Sequence, residues 1–287
     1  MRMSFFSKLL VTIAGCLTAM MLLTNVAMYR AFFHNPNQIT TRYEQITSSA
    51  IPDSMDQVSI VFLSDIEYDP ASFSDQKAND LFEQVKKLNP DVLLLGGDLF
   101  SSTADLSDSV RSRMVNWLSS IAAPLGKFAV YGEQDLVFEN HRLIVEDVLR
   151  QSQVELLNNS SVVLSNNSLQ GVRLGGFNVN ADPNALLNAF QPDQFCILLS
   201  HYPDHFITAS QSGLSVDYAL AGHAHGTQIN WPIYGGYQQM DGASRIDQNH
   251  RLSLNFPYEI SNGIGCVNVN ARLNSPCEIL YLTLNQG

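Results

Sequence analysis

Val92-Leu93-Leu94-Leu95-Gly96-Gly97-Asp98 is an apolar run that stops at a glycine pair and delivers a carboxylate. Four apolar residues ended by glycine read as a short strand buried on both faces. The same order recurs on either side of it. Residues 58–63 lead into Ser64-Asp65-Ile66-Glu67, and residues 128–131 into Gly132-Glu133-Gln134-Asp135. Residues 197–200 lead into His201, and 218–221 into Gly222-His223-Ala224-His225. Between the early strands, Ala78, Leu81, Phe82, Val85 and Leu88 share one helical face, and Pro90 ends that helix. Further helices are predicted over 110–121 and about 142–151. This strand–helix alternation predicts an α/β class with a mainly parallel sheet and polar groups at the strand C-termini. From Val154 the pattern changes: 154–157, 161–164 and 172–176 are short runs joined by Asn, Ser and Gly. They predict a second, hairpin-rich sheet. Residues 235–236 and 241–250 read as loops, and 278–284 alternates as a closing strand.

Carboxylates and imidazoles gathered from successive strand ends are the donors that divalent ions take. A two-metal site needs one bridging carboxylate, several terminal ligands and a hydroxide held between the ions. Asp65, Asp98, His201, His223 and His225 supply the donor types, and Glu67 and Glu133 are two further carboxylates in the same motifs. Glycine beside a ligand lets the backbone approach the ions. Any one of these residues alone would read as a turn former or a packed histidine; the ordered set is what points to metal. Trp231, Tyr234 and Tyr237 follow the last ligand loop, where they line a cleft or pack in the core.

Ser64-Asp65, Gly96-Gly97-Asp98, Gly132 through Asp135, Ser200-His201 and Gly222-His223-Ala224-His225-Gly226, in that order, resemble the calcineurin-like metallophosphoesterase family. Gly226-Thr227-Gln228, Ser261-Asn262-Gly263-Ile264-Gly265 and the apolar N-terminus resemble its membrane-anchored YkuE-type branch. The resemblance spans about residues 57–285. It implies a four-layer αββα sandwich, two mixed β-sheets flanked by helices. It also implies two divalent metal ions (Mn, Fe, Zn or Ca), with Asp65, Asp98 and His225 on one, Asp98 bridging, and His201 and His223 helping to hold the other. The implied activity is hydrolysis of a phosphomonoester, phosphodiester or pyrophosphate bond by metal-hydroxide attack.

Two departures from the family pattern bear on activity. Glu67 stands where the family has histidine, and Glu133-Gln134 where it has Asn-His. Both glutamates remain metal donors, but four ionised carboxylates cancel the charge of two dications. Gln134 does not titrate, whereas general acid catalysis is typically worth about 10²–10⁴-fold. Gln134, with Asp135 orienting it, occupies the catalytic position. The alternative is a catalytically degenerate protein of this fold, acting as a binding or sensory domain.

The composition fits this picture. Residues 1–30 hold three of the 16 basic residues (Arg2, Lys8, Arg30) and no acid, which leaves 13 basic against 27 acidic residues. Such a domain is a poor partner for nucleic acid, whose affinity comes from neutralised phosphates. Leu9 to Tyr29 carries no charge and is long enough to span a bilayer. The sequence therefore divides into a signal anchor or transmembrane helix at 1–30, a polar tether at 31–56 and a phosphoesterase domain at 57–287. Arg2 and Lys8 favour a cytoplasmic N-terminus, opposed by Arg30, which places a single-pass protein in the cell membrane with its domain on the extracytoplasmic side. A phosphorylated small molecule or lipid is the substrate class expected there. Of four cysteines none forms a Cys-x-x-Cys pair; Cys266 and Cys277 are candidates for a bridge only in an oxidising compartment. His34, His141, His205 and His250 lie outside the motifs and read as solvated.

Overall fold

The computed structural model describes residues 4–236 and 240–287, so Arg2 and Tyr237 lie outside the described residues. Two sheets face each other. The first has six strands in the order β1-β13-β2-β3-β4-β5: β1 (Ile39–Ser48), β2 (Ser59–Leu63), β3 (Val92–Leu95), β4 (Lys127–Ala129), β5 (Glu155–Leu156) and β13 (Cys277–Gln286). All its pairings are parallel except β13 with β2. The second sheet is β12-β9-β8-β7-β6, built from β6 (Ser160–Leu164), β7 (Val172–Gly176), β8 (Cys196–Ser200), β9 (Tyr218–Ala221) and β12 (Tyr258–Ile260). Only the β6–β7 hairpin is antiparallel there.

The period-2 alternation of the strands sorts the core into layers. Ile60, Phe62, Val92 and Leu94 point between the sheets, where they meet Leu174, Ile197, Leu199 and Leu220. Val61, Leu63, Leu93 and Leu95 point the other way, onto α2 (Asp75–Leu88), α3 (Asp108–Ser119) and α4 (Glu139–Gln151). Cys196, Leu198, Ala219 and Ala221 face outward onto α5 (His205–Gln211) and the loop around Phe256. The result is the expected four-layer αββα sandwich. The C-termini of parallel β2, β3 and β4 lie along one edge, and those of β8 and β9 along the matching edge of the second sheet.

α1 (Phe5–Tyr29) has no buried residue. At 1.5 Å per residue it is about 37 Å long, more than the ~30 Å bilayer core. It is long and apolar enough to cross a membrane.

Residues 31–56, read from the sequence as a tether, are built into the fold. β1 pairs with β13 over ten residues, from Ile39↔Cys277 to Ser48↔Gln286. Arg42 binds Glu278 and Glu259, and Ile46 enters the inter-sheet core. β1 is an edge strand with a single buried side chain, so its sequence lacks the apolar run that marked the interior strands. The loop at 235–236 is in part a short strand: β10 (Asn230–Trp231) pairs with β11 (Gly235–Gly236). His141 is buried rather than solvated, and His205 Nδ1 meets Ser200 Oγ at 2.9 Å. The four cysteines are free.

Candidate metal centre

Donor atoms of Asp65, Asp98, His201 and His223, four buried residues from four strand ends, all lie within 4.8 Å of one another. Each imidazole is oriented by a backbone carbonyl. His201 Nδ1 lies 2.6 Å from the Gly96 carbonyl, and His223 Nε2 lies 2.7 Å from that of Asp241. A carbonyl only accepts, so each of those nitrogens is the N–H. The opposite nitrogens, Nε2 of His201 and Nδ1 of His223, turn toward each other at 3.2 Å. This is how a protein fixes the tautomer of a metal-ligating histidine.

The carboxylates are held by main-chain donors. Asp65 accepts the N–H of His223 at 2.9 Å, and Asp98 Oδ1 accepts that of Gln134 at 2.8 Å. Asp98 Oδ2 stands 3.3 Å from His201 Nε2. Two glycines make this closeness possible. A Cβ on Gly132 would fall 2.0 Å from Asp98 Oδ1, and one on Gly222 would fall 2.4 Å from Asp65 Oδ2.

Asp65, Glu67, Asp98, His223 and His225 all have positive φ, between 48° and 65°. Left-handed backbone at a non-glycine residue costs on the order of 1–3 kcal/mol and persists where the surroundings over-determine it, as at functional sites. The side chains also fit a cation. Among the described residues, His225 Nε2 and Glu67 Oε1 are buried without a hydrogen-bond partner, and His225 Nε2 stands 3.4 Å from Asp65 Oδ1. Unpaired buried polar atoms are costly unless something binds them.

Electrostatics follow from burial. Burial, reinforced by Asp98, Asp65 and Glu133, drives the Glu67 carboxyl well above its usual range. Burial also pushes Asp98 to about 8 and Asp135 to about 6. Glu133 goes the other way: the hydrogen bonds of His201 and His223 outweigh its burial and hold it below the usual range. For His201, burial is outweighed by Asp98 and Glu133, which raise it well above the usual imidazole value. Burial lowers His225 to about 4. A bound dication favours deprotonated carboxylates and neutral imidazoles, and so opposes the shifts of Glu67, Asp98 and His201.

The seven residues read from the sequence as metal ligands do not gather equally. Glu133 enters the cluster, with Oε2 2.7 Å from His201 Nε2 and 3.1 Å from His223 Nδ1. Glu67 lies beside the cluster on the wall of a cleft of about 400 Å³, with Gln134, Lys77 and Thr103. Asp135 does not orient the Gln134 side chain. Its oxygens take the backbone N–H groups of Gly132, Asp98 and Leu99 at 2.9, 2.9 and 3.0 Å. The Gln134 amide turns instead to Glu133, at 3.5 Å.

Arg272 is a residue that sequence reasoning missed. Fully buried, it donates to the carbonyls of His225 and Asn262 at 3.2 and 2.6 Å and to that of Gly265. It thereby pins the last ligand loop to the segment behind Glu67. No motif surrounds it, and a lone arginine ordinarily reads as surface.

The sequence model of the calcineurin-like phosphoesterase family matches residues 58–227, a span that holds all seven expected ligands. The metallophosphoesterase YkoQ of Bacillus subtilis is 25% identical over 236 residues, covering 78% of this chain and 83% of its own. YkuE of the same organism is 24% identical over 270 residues, covering 88% of each chain. The UDP-2,3-diacylglucosamine pyrophosphatase LpxG of Chlamydia muridarum is 27% identical over 264 residues, covering 72% of this chain and 77% of its own. The match over more than half of the chain, on a two-sheet sandwich whose strand ends converge on an Asp–His cluster, makes this protein a member of the calcineurin-like phosphoesterase family.

Proposed function

We propose that this chain is a membrane-anchored, metal-dependent phosphoesterase that hydrolyses a phosphomonoester, phosphodiester or pyrophosphate bond, with a lipid headgroup or cell-envelope phosphate as substrate. The observation that carries it is the convergence of Asp65, Asp98, His201 and His223 within 4.8 Å. Asp65, Asp98 and His225 would hold one divalent ion. His201, His223 and Glu133 would hold a second, with Asp98 between them. Bound there, such ions supply Lewis-acid polarisation of a phosphoryl oxygen and lower the pKa of water. The chain's own groups do the rest. The Gly96 and Asp241 carbonyls keep His201 and His223 in the ligating tautomer, and the Gln134 N–H fixes the rotamer of Asp98. The Gln134 side chain, on the cleft wall with Lys77, orients the departing group by hydrogen bonding and transfers no proton.

The pyrophosphate arm is supported by LpxG, a named pyrophosphatase of a diacylated sugar nucleotide, and the membrane arm by the exposed apolar α1. An extracytoplasmic domain is supported by Lys8 at the start of α1 and opposed by Arg30 at its end.

A second reading, a metal-binding or sensory domain without turnover, is favoured by one observation. Glu133 Oε2 occupies the space between His201 and His223. Metal analysis together with turnover of bis-p-nitrophenyl phosphate separates the two. Metal-dependent turnover supports the esterase. Bound metal with no turnover across Mn, Fe, Zn and Ca supports the binding domain.

A further inference from the structure

The tip of the β10–β11 hairpin exposes Trp231, Pro232, Ile233 and Tyr234 in succession, at 43% for Trp231, 88% for Ile233 and 89% for Tyr234. An open cavity of about 750 Å³ lies behind them, lined by Asn249, His250 and Asn274. The tip is therefore held off the domain rather than packed into it. Large exposed apolar side chains in a row mark an interaction surface.

Hydrogen bonds tie this hairpin to the foot of α1. Asn230 N–H donates to the Leu273 carbonyl at 2.9 Å, and Asn274 Nδ2 donates to the Asn230 carbonyl at 2.9 Å. The next residue back, Arg272, donates its N–H to the Ala31 carbonyl at 2.8 Å and accepts from Asn35 Nδ2 at 2.8 Å. Ala31 is buried two residues beyond the end of α1 at Tyr29. At about 4.8 Å per step between neighbouring backbones, the hairpin base lies on the order of 10 Å from the end of the helix. That end carries its own aromatic cluster: Tyr29 and Phe33 stack at 5.6 Å, both exposed.

We infer that the 231–234 tip is a second membrane contact, seated in the headgroup and upper acyl region of the bilayer beside α1. Trp and Tyr favour this zone because an apolar ring and a polar atom are both satisfied there. With Tyr29 and Phe33 the tip sets two separate points of one interface plane. Two points fix the tilt of the domain where a helix alone leaves it free to swing. Trp231 is six residues after the ligand His225, so docking the tip holds the metal-site loop against the headgroups. This inference rests on α1 crossing the bilayer.

The test uses the full chain in phosphatidylcholine–phosphatidylglycerol nanodiscs, with acyl chains brominated near the carbonyl end. Trp117 is the other tryptophan of the chain and stacks on Phe82, so Trp117→Phe leaves Trp231 as the reporter. Trp231 emission should move to the blue and be strongly quenched relative to unbrominated nanodiscs, while Trp231→Phe should show no bromine quenching of Trp117. Ile233→Ser with Tyr234→Ser, in the Trp117→Phe background, should remove most of the Trp231 quenching. Carbonate extraction of membranes tests α1 separately. Extraction-resistant protein with unquenched Trp231 overturns the hairpin contact and leaves the anchor standing. Protein released by carbonate overturns the anchor and, with it, the two-point contact. A Trp231 shift that follows protein concentration in detergent and ignores lipid assigns the tip to a second copy of the chain, which also overturns the proposal.

Discussion

Glu133 Oε2 lies 2.7 Å from Nε2 of His201, the nitrogen that the Gly96 carbonyl turns toward the Asp–His cluster. A carboxylate in this place adds a negative charge to a site already holding Asp65 and Asp98. If that charge limits the attraction of a phosphate, Glu133→Asn with Glu67→His restores a net positive centre. The double variant should raise kcat/KM for bis-p-nitrophenyl phosphate on the order of tenfold, equivalent to about 1.4 kcal/mol of transition-state stabilisation. Unchanged turnover in a folded, metal-loaded double variant would show that charge is not the limit.

Asp135 ties Gly132, Asp98 and Leu99 together through their N–H groups. Asp135→Asn replaces one accepting oxygen with an amide that meets N–H donors head-on. The loss should be about 1–3 kcal/mol for the mispaired buried groups, with metal affinity falling 10–100-fold, about the range for groups that support ligands from behind. Chemical denaturation and metal titration measure the two effects. An unchanged metal affinity would remove Asp135 from any positioning role.

In the metal-free protein Asp98 titrates near about 8 and Asp135 near about 6, against an ordinary 3.8. Between these values the folded chain keeps protons that the unfolded chain has released. These two carboxyls therefore make stability fall as pH rises, while the lowered His225 and His205 act in the opposite sense below the ordinary 6.5, so the net fall should be read between about 6.5 and about 8. The raised His201 adds to the same trend as pH climbs. The lowered Glu133 acts in the opposite sense, and only on acidification below its ordinary 4.5. Metal-saturated protein should reverse the slope, because binding displaces protons. Thermal melting across this window, with chelator and with metal, gives the answer; parallel curves would contradict it.

β1 pairs along the whole of β13 and buries Ile46. A chain beginning at Gln38 should thus keep its cooperative melt, whereas one beginning at Gln57 should expose β13 as a bare edge and aggregate. Light scattering and calorimetry distinguish them, and equal solubility and stability would return residues 39–48 to the status of a tether.

The sequence made legible those parts that combine a buried strand with its end. Val92–Leu95 and Tyr218–Ala221 are buried at every position, and each delivers its ligand within three residues, across glycine. β1 was not legible because an edge strand needs no apolar run. Nor was Arg272, whose carbonyl partners at His225, Asn262 and Gly265 meet only after folding. The relation of Asp135 to Gln134 was misread for a similar reason. The family resemblance implied a side-chain contact, while the carboxylate's partners are the backbones of Gly132 and, from another strand end, Asp98 and Leu99.

Elemental analysis of the purified full chain, beside Asp98→Ala, goes to the heart of this account. The intact chain should carry divalent metal approaching two ions per chain after loading with Mn, Fe or Zn, a stoichiometry set by the two-ion ligand set of this class. Asp98→Ala should lose most of it while keeping its fold by circular dichroism. Equal metal content in the two proteins, or none in either, would contradict a metal centre built around Asp98.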